Sequence, residues 1–217
     1  MLKHVYWNDE EYPFDPEKRY LVFYGGNFSP VTQGHFSVVQ KFVALPNVLV
    51  YISHIGSERR HGIPLDLSMD MWKAYLALLT PEQQARVILR QRQSGTGGIE
   101  AHLQGVNVVI YVRGNETKSL QAAKTPANQH MFGRQEQRII QKHASLRNMC
   151  TARQIQLDFI FNTRTSGISA TDFTMSVKQR KPFEHVKQYM PLALPEDVAK
   201  SLIDRMSQQR LRKRGIK

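Results

Sequence analysis

Short runs of consecutive hydrophobic residues recur along the chain, and the segments between them repeat their apolar positions at helical spacing. Uninterrupted Val, Ile, Leu and Phe are typical of strands covered on both faces of a sheet. The segment after residue 34 shows the helical spacing, with apolar side chains at positions 36, 38, 39, 42 and 43. Strands that alternate with helices predict an α/β fold with an open, parallel, five-stranded sheet, helices on both faces and a helical C-terminus. The predicted strands are Tyr20–Tyr24, Val48–Ser53, Arg86–Arg90, Asn107–Val112 and Gln156–Phe161.

The length of the chain suits one sizeable domain. At 217 residues with 41% hydrophobic content, we predict a single domain over 1–217, with an N-terminal extension over 1–18 and a basic tail over 205–217. The sequence contains no run of about eighteen apolar residues, so a membrane span is not expected. Acidic residues near the N-terminus and the lack of an apolar signal core favour a cytoplasmic protein.

The charge balance is strongly basic. Thirty Lys and Arg against eighteen Asp and Glu give a formal net charge of +12, which favours nucleotides, phosphorylated metabolites or nucleic acid as ligands. Charge alone does not choose among these polyanions. Cys150 is the only cysteine and the histidines lack metal-ligand spacing, so we predict no metal held by protein ligands. We expect most histidines other than His35 at the surface.

The segment 20–35 combines a predicted strand, a glycine pair and a histidine at a helix start. Gly25 and Gly26 can take positive φ and let a ligand approach the main chain. Gly34 and His35 open an apolar-periodic helix, so free N–H groups and the positive end of a helix dipole are expected beside His35. Neither a P-loop nor a G-x-G-x-x-G fingerprint is present in this segment. The pattern predicts a phosphate site of another kind.

These residues resemble a known signature. Gly25-Gly26-Asn27-Phe28-Ser29-Pro30-Val31-Thr32-Gln33-Gly34-His35 is similar to G-[GST]-F-D-P-[ILV]-[HT]-x-G-H of the nucleotidyltransferase superfamily, with one additional residue before Phe28 and Ser29 where aspartate is common. Thr32 matches the T-x-G-H branch, which includes phosphopantetheine adenylyltransferases. The Rossmann-like fold that this resemblance implies agrees with the predicted parallel sheet.

A second segment resembles the family's I-S-S-T-x-I-[RK] motif. It reads Ile168-Ser169-Ala170-Thr171-Asp172-Phe173-Thr174. Ala170 lacks a hydroxyl, and Thr174 stands where the family usually has a cation facing the β- and γ-phosphates. Either Lys178, Arg180 or Arg164 supplies that charge, or triphosphate binding is weakened.

Two further matches are shorter. Arg113-Gly114 after the fourth predicted strand resembles the V-R-G-x-R element of phosphopantetheine adenylyltransferases without its second arginine. The basic loop Ser57–His61 resembles the family's basic loop, in which Arg59 or Arg60 would hold the acceptor's phosphate or the pyrophosphate side. The sequence does not choose between these two arginines.

The resemblance implies an adenylyltransferase that moves AMP from ATP to the phosphate of a small molecule such as nicotinamide mononucleotide or phosphopantetheine, with release of pyrophosphate. ATP is favoured over CTP, and Mg²⁺ would accompany it, bridging phosphate oxygens. His35 and Thr32 would be catalytic. The implied nucleotide-binding residues are Gly25, Gly26, Asn27, Phe28, Gly34, Arg113, Gly114, Ile168, Ser169 and Thr171; Arg59, Arg60 and Lys178 are weaker candidates for phosphate or acceptor.

The departures from the family patterns leave an alternative open. A member of the same fold with reduced transfer activity would bind nucleotides or nucleic acid, the latter through the positive charge. Loss of nucleic-acid affinity with added salt, without pyrophosphate release, would favour that alternative. The sequence does not indicate an oligomeric state.

Overall fold

The computed structural model describes residues 2–6, 12–55, 63–92, 98–114, 143–162 and 168–213. All five predicted strands are present in it, and every strand pair with a defined register is parallel. The sheet has six strands in the order β1-β6-β5-β2-β3-β4, so the predicted parallel α/β fold is confirmed with one strand added. The strands are β1 Leu2–Tyr6, β2 Tyr20–Gly26, β3 Val48–Ile55, β4 Val87–Arg92, β5 Val108–Gly114 and β6 Gln156–Asn162.

Strand β1 lies in the predicted N-terminal extension. It pairs with β6, with Leu2 opposite Leu157 and Tyr6 opposite Ile160. The sequence did not predict it because Lys3 and His4 interrupt the hydrophobic run, and pairing with a strand more than 150 residues away is a tertiary effect.

The described helices alternate with the strands and dominate the C-terminus, as predicted. They are α1 Gln33–Val43, α2 Leu65–Leu76, α3 Pro81–Gln84, α4 Ala144–Ala152, α5 Ala170–Lys178, α6 Phe183–Lys187 and α7 Glu196–Lys213, with a 3₁₀ turn at Glu100–His102. Among these helices, none combines the length and the apolar character that crossing a bilayer requires.

The chain divides into two compact units, Met1–Tyr24 with Ser94–Arg164 and Gly25–Gln93 with Thr165–Lys217. In the first unit β2, β5 and β6 pair in register from Tyr20, Val108 and Gln156 onward. Its core contains the stacked rings of Phe23 and Tyr111, 5.6 Å apart. The expectation of a single domain over 1–217 stays a prediction.

The second unit contains the β3–β4 pair, with Val50 opposite Val87. Its largest buried side chains include Phe36, Tyr51, Trp72, Tyr75 and Phe173. The Arg205 guanidinium donates to the Asp70 carboxylate at 2.8 Å and so joins α7 to α2. The same ion pair holds the pKa of Asp70 below its usual value, but both side chains are more than a third exposed, so the pair adds little stability.

Candidate functional site

The glycine pair ends strand β2 and is half-buried. Neither glycine has positive φ: of the glycines in the described ranges, only Gly98 and Gly105 do. The expectation that positive φ is the reason for this glycine pair is therefore wrong. At Gly26 the reason for glycine is space, because a Cβ there would lie 3.1 Å from two atoms of the Phe28 ring. Only a residue without a side chain lets that ring fold back onto the strand end.

Phe28 is 3% exposed and packs against three other rings of the second unit. Its centroid lies 5.1 Å from that of His35, 5.8 Å from that of His54 and 5.2 Å from that of Trp72. The contacts with His35 and Trp72 are edge-on, the arrangement that aromatic quadrupoles favour. Phe28 thus helps to hold the ring of the candidate catalytic histidine. Its neighbour Asn27 is exposed.

Ser29 occupies the place where aspartate is common in the family signature. Its side chain is buried, and its hydroxyl donates to the Ile63 carbonyl at 3.2 Å. A carboxylate could not make this bond without first taking a proton, because an ionised carboxylate only accepts. Serine therefore joins the segment 25–35 to the start of α2.

Thr32 begins helix α1 and fixes the His35 ring. The Thr32 backbone N–H donates to Nδ1 of His35 at 3.0 Å, and the Thr32 hydroxyl lies 3.1 Å from the same nitrogen. Because a backbone N–H can only donate, Nδ1 must accept, and the proton of the neutral ring is then on Nε2. This arrangement leaves Nε2–H as the hydrogen-bond donor of His35.

Most of the N–H groups expected to be free at the start of α1 have partners. The Gln33 N–H donates to the Tyr189 carbonyl at 2.8 Å, and the His35 N–H donates to the Thr32 carbonyl at 3.0 Å. The expectation of several free N–H groups beside His35 is therefore wrong. In the first turn of α1, the Gly34 N–H makes no hydrogen bond within the described ranges.

The two sequence motifs meet at Gly34. A Cβ built on Gly34 would lie 3.7 Å from the Thr32 hydroxyl oxygen and 4.0 Å from the Ile168 carbonyl oxygen. Both motifs belong to the second unit, and the separation along the chain is more than 130 residues. The fold thus brings the segment 25–35 beside the start of the segment 168–174, as the family resemblance implies.

Ser169 caps helix α5. Its hydroxyl oxygen accepts from the Asp172 N–H at 2.9 Å and donates to the Asp172 carboxylate at 2.6 Å. The hydroxyl is thereby used within the protein, and a carboxylate lies at the helix N-terminus where the resemblance places phosphates. Thr171 is exposed beside it. An incoming phosphate would meet like charge from Asp172 unless this side chain turns away.

Position 174, where the family's second motif usually has a cation, is occupied by a threonine that does not face solvent. Thr174 is 2% exposed, and its hydroxyl donates back to the Ala170 carbonyl at 2.7 Å. Lys178 is exposed at the opposite end of α5, about 13 Å along the helix axis from Ser169. Arg180 follows it at the surface, and Arg164 lies outside the described residues. The structure therefore does not bring Lys178 to Ser169 and Thr171.

The remaining predicted residues belong to the first unit or lie outside the described residues. Arg113 and Gly114 end strand β5 in the first unit, where they pair with Phe161 and Asn162. Arg113 is half-buried. Arg59 and Arg60 lie outside the described residues. In the described ranges, no group of three or more His, Cys, Asp or Glu could hold a metal ion.

His54 was not predicted to contribute to the site, and the expectation of surface histidines is wrong for it. It lies near the end of β3 and is fully buried, and neither ring nitrogen makes a hydrogen bond of ordinary geometry with a described residue. Burial lowers its pKa to about 4, while the adjacent Gly26 backbone acts in the opposite direction. His54 is thus neutral at pH 7. The apolar run on either side of it, with Ile52 and Ile55, was the available sequence signal.

Comparison with known proteins supports the fold. No model of a protein family matches the chain, and no curated protein matches it. Among solved structures, a protein assigned as a nicotinate-nucleotide adenylyltransferase from Vibrio parahaemolyticus matches with TM-score 0.51 and 13% identity, over 88% of this chain and 96% of that chain. The nicotinic acid mononucleotide adenylyltransferase of Plasmodium falciparum matches with TM-score 0.52 and 12% identity in its complex with NaAD, and with TM-score 0.51 in its complex with APC, each over 86% of this chain and 98% of that chain.

Identities of 12–13% establish the fold and nothing finer. They confirm the architecture that the signature residues implied, over nearly the whole of each chain compared. The chain has the nucleotidyltransferase fold of the nicotinate-nucleotide adenylyltransferases.

Proposed function

We propose that this protein is an adenylyltransferase that moves AMP from ATP to the phosphate of a phosphorylated small molecule and releases pyrophosphate. The observation that carries the proposal is the junction at Gly34, where the first turn of α1 meets the Ile168 carbonyl. The fold shared with adenylyltransferases supports it.

In the proposed reaction, an oxygen of the acceptor phosphate attacks the α-phosphorus of ATP in line. A new P–O bond forms, and the bond from the α-phosphorus to the bridging oxygen breaks, so pyrophosphate leaves with the electron pair. Catalysis of this kind consists of positioning and charge stabilisation. No covalent enzyme intermediate is required.

In the proposed reaction, His35 donates a hydrogen bond to a phosphate oxygen, where negative charge develops. Thr32 holds Nδ1 as an acceptor, so the proton of the neutral ring is on Nε2, which would donate to a phosphate oxygen. The Gly34 N–H offers a second donor at the positive end of the α1 dipole. Phe28 and Gly26 shape the adjoining wall through their contact at the end of β2.

A Mg²⁺ ion would enter with ATP and neutralise charge on the triphosphate. Because the described residues contain no cluster of three candidate metal ligands, the ion would be held by phosphate oxygens and water. Asp172 is a carboxylate at the second motif that such a hydrated ion could contact. Such an ion requires no set of protein ligands of its own.

Nicotinic acid mononucleotide is the acceptor to test first. The Plasmodium protein of the same fold is a nicotinic acid mononucleotide adenylyltransferase whose structure contains NaAD. Phosphopantetheine, suggested by the T-x-G-H and V-R-G residues, is the second acceptor. ATP is the proposed donor, with CTP as its competitor in the same assay.

A second candidate function is binding without efficient transfer. The observation in its favour is the second motif, where Ser169 is bonded to Asp172 and Thr174 is buried in place of a cation. In that case the net charge of +12 would serve binding of nucleotides or nucleic acid.

One assay separates these functions. Pyrophosphate release is measured for ATP, CTP, GTP and UTP against nicotinic acid mononucleotide, nicotinamide mononucleotide and phosphopantetheine. The proposal expects release that requires both ATP and one acceptor. Absence of release with every pair, together with nucleic-acid binding that weakens steeply between 50 and 200 mM salt, would establish the binding function instead.

A further inference from the structure

Phe28 is enclosed by side chains from three different elements of the second unit. His35 comes from α1, His54 from β3 and Trp72 from α2, and all three rings lie within 5.8 Å of the Phe28 centroid. Gly26 also lies against the ring, since a Cβ built on it would be 3.1 Å from two Phe28 ring atoms. The orientation of Phe28, and of the His35 ring that it contacts, therefore depends on His54 and Trp72.

Histidine is a costly residue at position 54 if its only role is packing. The side chain is completely buried, and neither nitrogen makes a hydrogen bond of ordinary geometry with a described residue, although the Gly26 backbone lies beside the ring. Nε1 of Trp72 also lacks a partner among the described residues. A buried polar group without a good partner destabilises the folded protein. Leucine would fill the space without that cost. A destabilising polar residue beside a candidate site is explained by a role in that site.

The position of His54 fits such a role. It lies at the carboxyl end of a parallel strand, where α/β proteins bind their ligands. Its ring packs on Phe28 and adjoins the backbone of Gly26. His54 therefore contacts both ends of Gly26–Phe28, where the chain leaves strand β2.

We propose that His54 is a positioning residue of the transfer site, which holds Gly26–Phe28 and, through the Phe28 ring, orients His35. This inference rests on the proposed function for its kinetic consequence. Since His54 is buried and acts through Phe28, it changes the rate of transfer and leaves the binding of ATP nearly unchanged. His54 orients the His35 ring in the protein without bound substrate as well.

Two substitutions test the kinetic consequence. His54→Leu removes the polar atoms and the ring, and we expect kcat to fall about tenfold or more while KM for ATP stays within about twofold. Its thermal midpoint should equal or exceed that of the wild type, because the unpartnered nitrogens are gone. His54→Gln keeps a donor that can reach the Gly26 backbone, beside which the His54 ring lies, and should recover kcat to within about threefold of the wild type. His102→Gln, on the 3₁₀ turn of the first unit, is the matched control and should change neither constant.

Ring resonances of His35 test the inference without turnover. The His35 signals are identified by their loss in His35→Ala. They should shift or broaden in His54→Leu, return toward the wild-type positions in His54→Gln, and stay unchanged in His102→Gln. Unchanged His35 signals in His54→Leu overturn the inference, whether or not the wild type is active.

The two proposals fail separately. A wild type that releases no pyrophosphate overturns the proposed function, while the His35 resonances still decide the role of His54. An active wild type with unchanged kcat in His54→Leu overturns the role of His54 alone. Joint loss of stability and kcat in His54→Leu, without recovery in His54→Gln, would assign His54 to packing and also overturn the inference.

Discussion

The Thr32 backbone N–H donates to Nδ1 of His35 at 3.0 Å, so the residue that begins helix α1 also selects the tautomer of the candidate catalytic histidine. The same bond satisfies one backbone donor at the helix start, much as a glutamate does in a capping box. A single imidazole thereby stabilises the helix with one nitrogen, and in the proposed reaction the other nitrogen donates to phosphate. Its structural and catalytic roles can be separated by mutation.

His35→Asn and His35→Ala make this separation. The asparagine side-chain oxygen can replace Nδ1 as the acceptor for Thr32 but nothing replaces Nε2, so we expect kcat to fall about 10²–10³-fold with stability retained. His35→Ala should lose as much activity and about 1 kcal/mol of stability in addition. Pyrophosphate release and urea unfolding check the two effects. Full activity of His35→Asn would contradict the catalytic role.

Two glycine substitutions test how the segment 25–35 is packed. Gly26→Ala puts a Cβ 3.1 Å from the Phe28 ring, so we expect a loss of about 1–3 kcal/mol and a displaced ring. Gly34→Ala meets only ordinary contacts of 3.7 and 4.0 Å and should keep or raise stability, because alanine is the better helix former. Thermal unfolding of both variants measures the difference. Equal destabilisation by the two would contradict the packing described for Phe28.

Asp172 should weaken triphosphate binding. Asp172→Asn removes the carboxylate that lies at the N-terminus of α5 but keeps an acceptor for Ser169, so we expect KM for ATP to fall severalfold at low salt. The helix should lose about 0.3–1 kcal/mol, since the favourable dipole contact is gone. Asp197→Asn alters a carboxylate in the first turn of α7 and is the matched control. A higher KM in Asp172→Asn would instead assign the carboxylate to binding hydrated Mg²⁺.

His54 should make the protein sensitive to acid. Its pKa is about 4 in the folded protein and 6.5 when unfolded, so the unfolded chain binds the proton more readily between these values. The stability that this difference represents is complete above pH 6.5 and is lost as the pH falls toward 4, by up to about 3 kcal/mol. Urea unfolding at pH 7 and 4.5 measures it. The pH dependence of His54→Leu should be smaller by most of this amount, and an unchanged dependence would contradict the assignment.

Much of the fold followed from short-range patterns. The runs Tyr20–Tyr24 and Val48–Ser53 are apolar at consecutive positions, and this alone identified buried parallel strands that the structure extends by two residues each. The family resemblance of the segment 25–35 implied the fold that the solved structures of adenylyltransferases share with this chain. Local sequence carries this information because strand burial and turn composition depend on near neighbours.

The sequence could not show which hydrogen-bond donors of the site already have partners within the protein. The Gln33 N–H is bonded to the Tyr189 carbonyl, and the Ser169 hydroxyl is shared with Asp172. Gly26 is required by the Phe28 ring and not by its φ angle. Each of these depends on which groups the folded chain brings within 4 Å, and a motif does not contain that information.

The sequence by itself determined the parallel α/β fold and the approximate strands, and it predicts a phosphate site in two segments. Only the tertiary structure decided that these segments meet at Gly34, that Thr32 orients His35, and that a buried, neutral His54 packs behind Phe28. The physical reason is that hydrophobic periodicity is set along the chain. The tautomer of a histidine, the partners of a hydrogen-bond donor and the protonation state of a buried side chain depend on atoms that distant segments bring into contact.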